Sequence, residues 1–296
     1  MTVFCAVPIN QNRVETMTIY DAINDGILDR KMMRDTSSYA REWYGVGYLL
    51  GSSTKIDASN NAGEGYLSYI QYLSPASGYS RATHERKPSL CPFATKGCEA
   101  ACLGVSAGRM RFTSVQRAQV KRTALYHKER DAYFACLAHE ILRAKRKAER
   151  EGLRLSVRLN GTSDIIWENI PVDIMGVRFR NIFLAFPDVI FYDYTKIPLD
   201  YRRRALNTPN YHLTYSYTGE TESLTRARDY LREGVGVSVV YTGNPDRAAD
   251  AILPSVKSRV DGDVHDMRFL DPAGSIVLLK AKGDAKRDRS GFVVRG

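Results

Sequence analysis

Leu153-Arg154-Leu155-Ser156-Val157-Arg158-Leu159 alternates apolar and polar residues, and Asn160-Gly161-Thr162-Ser163-Asp164 then breaks into turn formers. A period of two predicts a strand over 153–159 with a polar loop at its end. Gly152, just before it, suits the end of a helix. Beyond the stretch, similar short strands are predicted over 189–194, 211–217, 236–241 and 275–280, with helical segments over 165–175, 199–206, 221–233 and 245–251. A Tyr- and Ile-rich alternation over 65–73 adds a strand upstream. Alternating strands and helices predict parallel βαβ units. The expected fold is therefore α/β, a complete or partial parallel (β/α) barrel, with a doubly wound open sheet as the alternative.

Upstream of Gly152 the pattern is helical over 113–152. Thr113 and Gln116 fit a capping box. Phe134, Leu137, Ala138 and Ile141 recur at helical spacing, and a break near 129–131 divides the region into two helices. Cys136 beside that stripe reads as a buried structural thiol. Ser, Asn and Gly over 52–64 read as a loop. Residues 1–40 read as an N-terminal extension with no nameable chemistry, Cys5 included, and 41–296 as one domain.

The 296 residues are 44% hydrophobic and contain no apolar run near the roughly 18 residues of a membrane span. The N-terminus lacks a basic segment followed by an apolar one, so no signal peptide is expected and the cytoplasm is the default. Thiols there lean toward metal binding or catalysis. The net charge of +10 suits a polyanionic partner, nucleic acid or a nucleotide, with a soluble basic surface as the alternative; no membrane partner is expected. Part of that excess, Arg143, Lys145, Arg146, Lys147 and Arg150, crowds one helix end, where cations suit the dipole.

Three cysteines carry the sharpest chemical signal. Cys91, Cys98 and Cys102 are spaced Cys-x6-Cys-x3-Cys on a loop with Pro92 and Gly97. Three thiols suit a disulfide framework poorly and a metal centre well. Structural zinc wants four ligands, and only His84, seven residues before Cys91, offers a fourth. Three thiolates suit a [4Fe–4S] cluster with one iron left free, which is the favoured reading over zinc.

Functional groups of parallel α/β folds gather at strand ends. Here those ends carry Asn160, Ser163 and Asp164, then Asp193 and Lys196, then Ser216. Asn160, Ser163, Asp164 and Ser216 are candidates to bind a polar ligand capping the cluster, although a turn and helix cap explain Ser163 or Asp164 equally well. Asp193 and Lys196 are candidates for acid–base catalysis, with an ion pair or loop cap as the alternative. Asp261, Asp263, His265 and Asp266 form an acidic segment that a metal-dependent hydrolase would use, although its spacing is not that of a Ca²⁺ loop.

Leu73-Ser74-Pro75-Ala76-Ser77-Gly78, the segment Cys91 to Leu103, Arg158 to Asp164, Phe191 to Lys196 and Tyr211 to Ser216 together resemble the phage gene product 88 family. The resemblance runs over about residues 45–292. The layout is also similar to that of radical S-adenosylmethionine enzymes, where a three-cysteine loop after the first strand of a partial barrel holds a [4Fe–4S] cluster. That resemblance implies S-adenosylmethionine on the fourth iron, held by polar strand ends. The spacing differs from the Cys-x3-Cys-x2-Cys of those enzymes, and Asn160 to Asp164 stand where they carry Gly-Gly-Glu-Pro. A zinc-stapled nucleic-acid-binding protein and a hydrolase remain the competing readings.

Overall fold

The computed structural model describes residues 17–106 and 108–296. Its strands are β1 (Leu50–Gly51), β2 (Tyr66–Gln71), β3 (Arg154–Arg158), β4 (Val172–Ile174), β5 (Val177–Phe179), β6 (Ile190–Thr195), β7 (Tyr211–Ser216), β8 (Gly236–Thr242), β9 (Arg259–Asp261), β10 (Ile276–Lys280) and β11 (Val294–Arg295). One mostly parallel sheet runs β1-β2-β3-β6-β7-β8-β10-β9, with β11 paired to β8. Only β1 runs antiparallel, against β2. The six strands expected from the sequence, β2, β3, β6, β7, β8 and β10, follow one another in space in chain order. The strand order never reverses among them, as it would in a doubly wound sheet.

The sheet is open. Its edges are β1 and β9, and among the described residues no ladder joins them. The complete barrel is thus corrected to an open sheet: the free edge of β2 is taken by β1, and that of β10 by β9, so first and last parallel strands cannot meet.

Register separates two chemistries. Leu155 and Val157 of β3, Phe191 of β6, and Tyr211 and Leu213 of β7 face one side and join a large apolar cluster. The Arg30–Tyr44 and Arg130–Arg150 helices pack in the same cluster through Met33, Ala40, Phe134, Leu137 and Ile141. The alternate residues are polar: Ser68 and Ser156 share a hydroxyl contact of 2.6 Å, and Arg158, Tyr192, Tyr194 and Thr214 continue that side. Segment 265–271 covers it. Phe269 lies against the rings of Tyr66, Tyr192 and His212, with centroids 4.9, 5.4 and 5.9 Å away.

The long helical region breaks where expected, into Thr113–Lys128 and Arg130–Arg150 around Glu129. The capping box does not form: Phe112 is the N-cap, which puts Gln116 one residue too far along, and its amide donates to Met110 O at 3.1 Å. The helix expected over 165–175 is a short 3₁₀ turn followed by the β4–β5 hairpin. Pro171 blocks helix continuation, and Met175 and Gly176 take φ of 56° and 83°, the pair of positive values that a two-residue hairpin turn needs. The loop expected over 52–64 contains the Thr54–Asn60 helix, capped by Ser53 and anchored by buried Ile56 and Ser59. Of the N-terminal extension, residues 17–40 contribute Met17, Ile19, Ala22, Leu28, Met33 and Ala40 to the main core. Cys5 lies outside the described residues.

Candidate functional site

The chain leaving β2 crosses the C-terminal ends of the parallel strands and carries all three cysteines there. Thr95 caps the short Lys96–Ala100 helix by accepting from Cys98 N at 3.1 Å. Gly97 lets that helix sit on the C-terminal segment, because a Cβ there would meet Ser290 Oγ at 2.1 Å. Cys98 packs beside Ala101, Ala281 and Phe292. All three thiols are free and half-buried.

Backbone N–H groups serve two of the sulfurs. Ala76 N donates to Cys91 Sγ at 3.3 Å, and Gly104 and Val105 present N–H groups to Cys102. Ala76 holds φ at 45°, a left-handed conformation that an alanine adopts at a cost of about 1 kcal/mol or more. Cys91 Sγ also faces Thr162 O at 3.5 Å, tying this loop to the one after β3. Burial pushes the Cys91 thiol up to about 12 and raises that of Cys102 as well.

Lys196 enters this group from the end of β6. Burial works against its charge, but Cys98, Asp164, Cys91 and Cys102 together hold the ammonium above its usual range. Its Nζ donates to Ser216 Oγ at 3.1 Å, and its backbone N donates to Asp164 Oδ2 at 2.7 Å. Lys196, Ser216 and Asp164 are thus brought together beside the three thiols.

The other expected residues form a scaffold beneath. Asn160 Oδ1 accepts from Ser163 Oγ at 2.8 Å, Ile165 N at 3.0 Å and Trp167 Nε1 at 3.0 Å. Its Nδ2 donates to Ile165 O and to Asp193 Oδ2. Asp193 shares the helix side of the sheet with Phe191, where a carboxylate needs partners. It accepts from Asn160 N at 2.6 Å and Tyr211 OH at 3.0 Å, makes no ion pair with Lys196, and burial pushes it up to about 7. Arg202, fully buried, donates to Tyr211 OH at 2.7 Å and to Asp164 Oδ1 at 3.4 Å. Glu168 Oε1 lies 2.8 Å from Arg202 Nε, but the N–H is not aimed at it, so the two make an ion contact without a hydrogen bond. Gly161 passes so close to β2 that a Cβ would meet Gln71 O at 2.3 Å.

The acidic segment is dispersed. Asp266 is buried between Arg158 at 2.7 Å and Lys55 at 3.0 Å. Burial alone would raise its carboxyl, but those two cations hold it well below the carboxylate range. Asp263 pairs with Lys282 at 2.8 Å, and His265 Nδ1 lies 3.1 Å from Arg268. His84 is exposed at a helix end with φ 60°. Cys136 is buried, as its place beside the apolar stripe predicts. Among the described residues, no three His, Cys, Asp or Glu side chains converge on a point that would hold a single metal ion.

Arg202, Glu168, Tyr211 and Ala76 were missed by sequence reasoning. Arg202 sits in an Arg-Arg-Arg run whose other members are exposed, so nothing local distinguishes it. Ala76 lies in the Ser-Pro-Ala-Ser-Gly stretch, and the residue after Pro75 gives no hint of a positive φ.

Among the described residues no helix is long and apolar enough to cross a membrane. No curated protein and no solved structure gives a significant match to the chain. A family model, Gene product 88, matches residues 49–296, which takes in the whole sheet, the cysteine loop and the scaffold under it; the chain belongs to the phage gene product 88 family.

Proposed function

We propose that Cys91, Cys98 and Cys102 hold a [4Fe–4S] cluster with one iron left for an exchangeable ligand, and that the protein carries out a cluster-dependent one-electron reaction. The observation that carries this reading is the half-buried Lys196 ammonium, held by Ser216 and set among three thiols at the C-terminal ends of parallel strands. Such a cluster, when bound, supplies an electron to the ligand on its free iron.

The chain's own groups suit that role. N–H donors from Ala76, Gly104 and Val105 stabilise thiolate sulfur. Lys196 offsets the negative charge of three thiolates, and Ser216 and Asp164 keep it in place. Of the two acid–base candidates, Lys196 is the one that faces the thiols. A single zinc would need its thiolates about 2.3 Å from one centre, together with a fourth ligand. A cluster puts each thiolate on its own iron and asks the chain for only three ligands, the number present on this loop.

The chain-order succession β2 to β10, with the cysteine loop after its first strand, supports a partial (β/α) barrel of the radical S-adenosylmethionine kind. Asn160 and Ser163 do not fit as ligands for S-adenosylmethionine, because their side chains are consumed within their own loop. The basic excess supports a nucleotide or nucleic-acid substrate.

Anaerobically purified protein is expected to be brown and to contain about four irons per chain. Changing all three cysteines to alanine should abolish both. A colourless protein with stoichiometric zinc overturns the reading.

A further inference from the structure

The outer rim of the cysteine loop is strongly basic. Residues 96–112 and 280–295 together hold nine Lys and Arg against three Asp and Glu. The two segments meet. The Leu103–Ser106 helix abuts the Gly283–Arg287 turn, and between the Lys96–Ala100 helix and residues 284–290 lies an open groove of about 480 Å³. Its edges carry Lys96, Arg287 and Arg289. The carboxylates in it are occupied: Asp284 lies 4.0 Å from Arg111 and 2.8 Å from Arg287, and Asp288 accepts from Ser290 and Val293. Among the described residues, Lys96, Arg109, Lys286 and Arg289 are exposed and make no ion pair.

Beside these cations stand uncovered apolar side chains. Phe112 is 61% exposed and Leu103 51%, and Val105 is exposed too. Phe112 directly follows Arg111, and Leu103 directly follows Cys102. Cations alone would suit any polyanion. Cations next to exposed aromatic and aliphatic groups suit a polyanion that also offers flat apolar faces, which a duplex keeps stacked inside and a single strand exposes.

We propose that this rim binds single-stranded nucleic acid, with phosphates along Lys96, Arg109, Lys286 and Arg289 and a base stacked on Phe112. The inference names the substrate class of the cysteine site and rests on that site being functional, but the binding itself needs no cluster.

The test uses the full chain with Cys91, Cys98 and Cys102 changed to serine, free of iron, so that failure of the cluster reading leaves it interpretable. Fluorescence anisotropy follows a labelled mixed-sequence DNA strand of about 16 nucleotides, alone and annealed to its complement. The single strand should bind at least about tenfold more tightly than the duplex, and Phe112→Ala should weaken it at least about fivefold. Changing Lys96, Arg109, Lys286 and Arg289 to glutamine should flatten the log–log salt dependence between about 50 and 200 mM by about 3. Should that variant unfold, Phe112→Ala and the preference for the single strand decide. Equal or tighter duplex binding, an unaffected Phe112→Ala variant, or binding confined to vesicles of anionic phospholipid overturns the proposal.

Discussion

The loops after β2 and β3 lie side by side at one end of the sheet and use their polar atoms in opposite ways. In the β3 loop nearly every group has a partner within the fold: Asn160 alone joins Ser163, Ile165, Trp167 and Asp193. In the β2 loop the sulfurs have only weak partners, N–H groups, the Thr162 carbonyl and one lysine. Saturated groups hold a shape; groups left with capacity can take a ligand. The contrast assigns rigidity to the β3 loop and leaves the β2 loop as the place for the proposed cluster, although both are equally polar as sequence.

Breaking the saturated side should cost most. Arg202→Met leaves Asp164 and Glu168 buried without their cation and is expected to lose about 3–5 kcal/mol in urea unfolding, or to prevent folding. Asn160→Ala strands several buried donors, Trp167 Nε1 among them, and removes one of the three partners of Asp193, for a loss of about 3 kcal/mol by the same measurement.

The next effect is a pH dependence. Asp193 binds its proton more tightly folded than unfolded, since burial raises it to about 7. Its stabilising contribution is therefore complete below the unfolded value of about 4 and is lost as pH rises through about 7. Asp193→Asn should remove that slope, so the variant gains on the wild type between those limits. Asp266 has the opposite sign: held low by Arg158 and Lys55, it stabilises above the unfolded value and loses this only as pH falls through its lowered one. Parallel pH curves for Asp193→Asn and wild type would remove Asp193 from the saturated side.

The smallest change in stability should come from the chemical side. The iron-free chain with Cys91, Cys98 and Cys102 changed to alanine should unfold within about 1 kcal/mol of the iron-free wild type, because the half-buried sulfurs hold up little structure. A loss as large as that of Arg202→Met would make the cysteine loop a structural staple and erase the contrast between the loops.

Much of the fold was legible because its elements rest on local patterns. The two-residue period set β3, β6, β7, β8 and β10 to within a residue or two, and Glu129 marked the helix break. Where local pattern competed with neighbours, reading failed. Ile165 to Met175 carries enough apolar residues for a helix, but the Met175-Gly176 turn and pairing with β5 make a hairpin. Residues 52–64 look like a polar loop because only Ile56 and Ser59 of the helix there are buried. At the candidate site, spacing alone singles out the three cysteines that the structure places at the C-terminal ends of the strands. The roles of Asp193 and Lys196 were not legible, because register places Asp193 with Phe191 on the helix side and the Lys196 ammonium beside Ser216.

The sequence by itself determined an α/β chain of parallel units and a cluster of three thiols on the loop after the first of them, since both follow from periodicity and spacing along the backbone. Only the tertiary structure decided that the sheet stays open, that Arg202 is buried while its neighbours are exposed, and that Lys196 meets the thiols. Each of these depends on which strand lies beside which, and on which side of the sheet a residue falls, and contacts across long sequence separation set both.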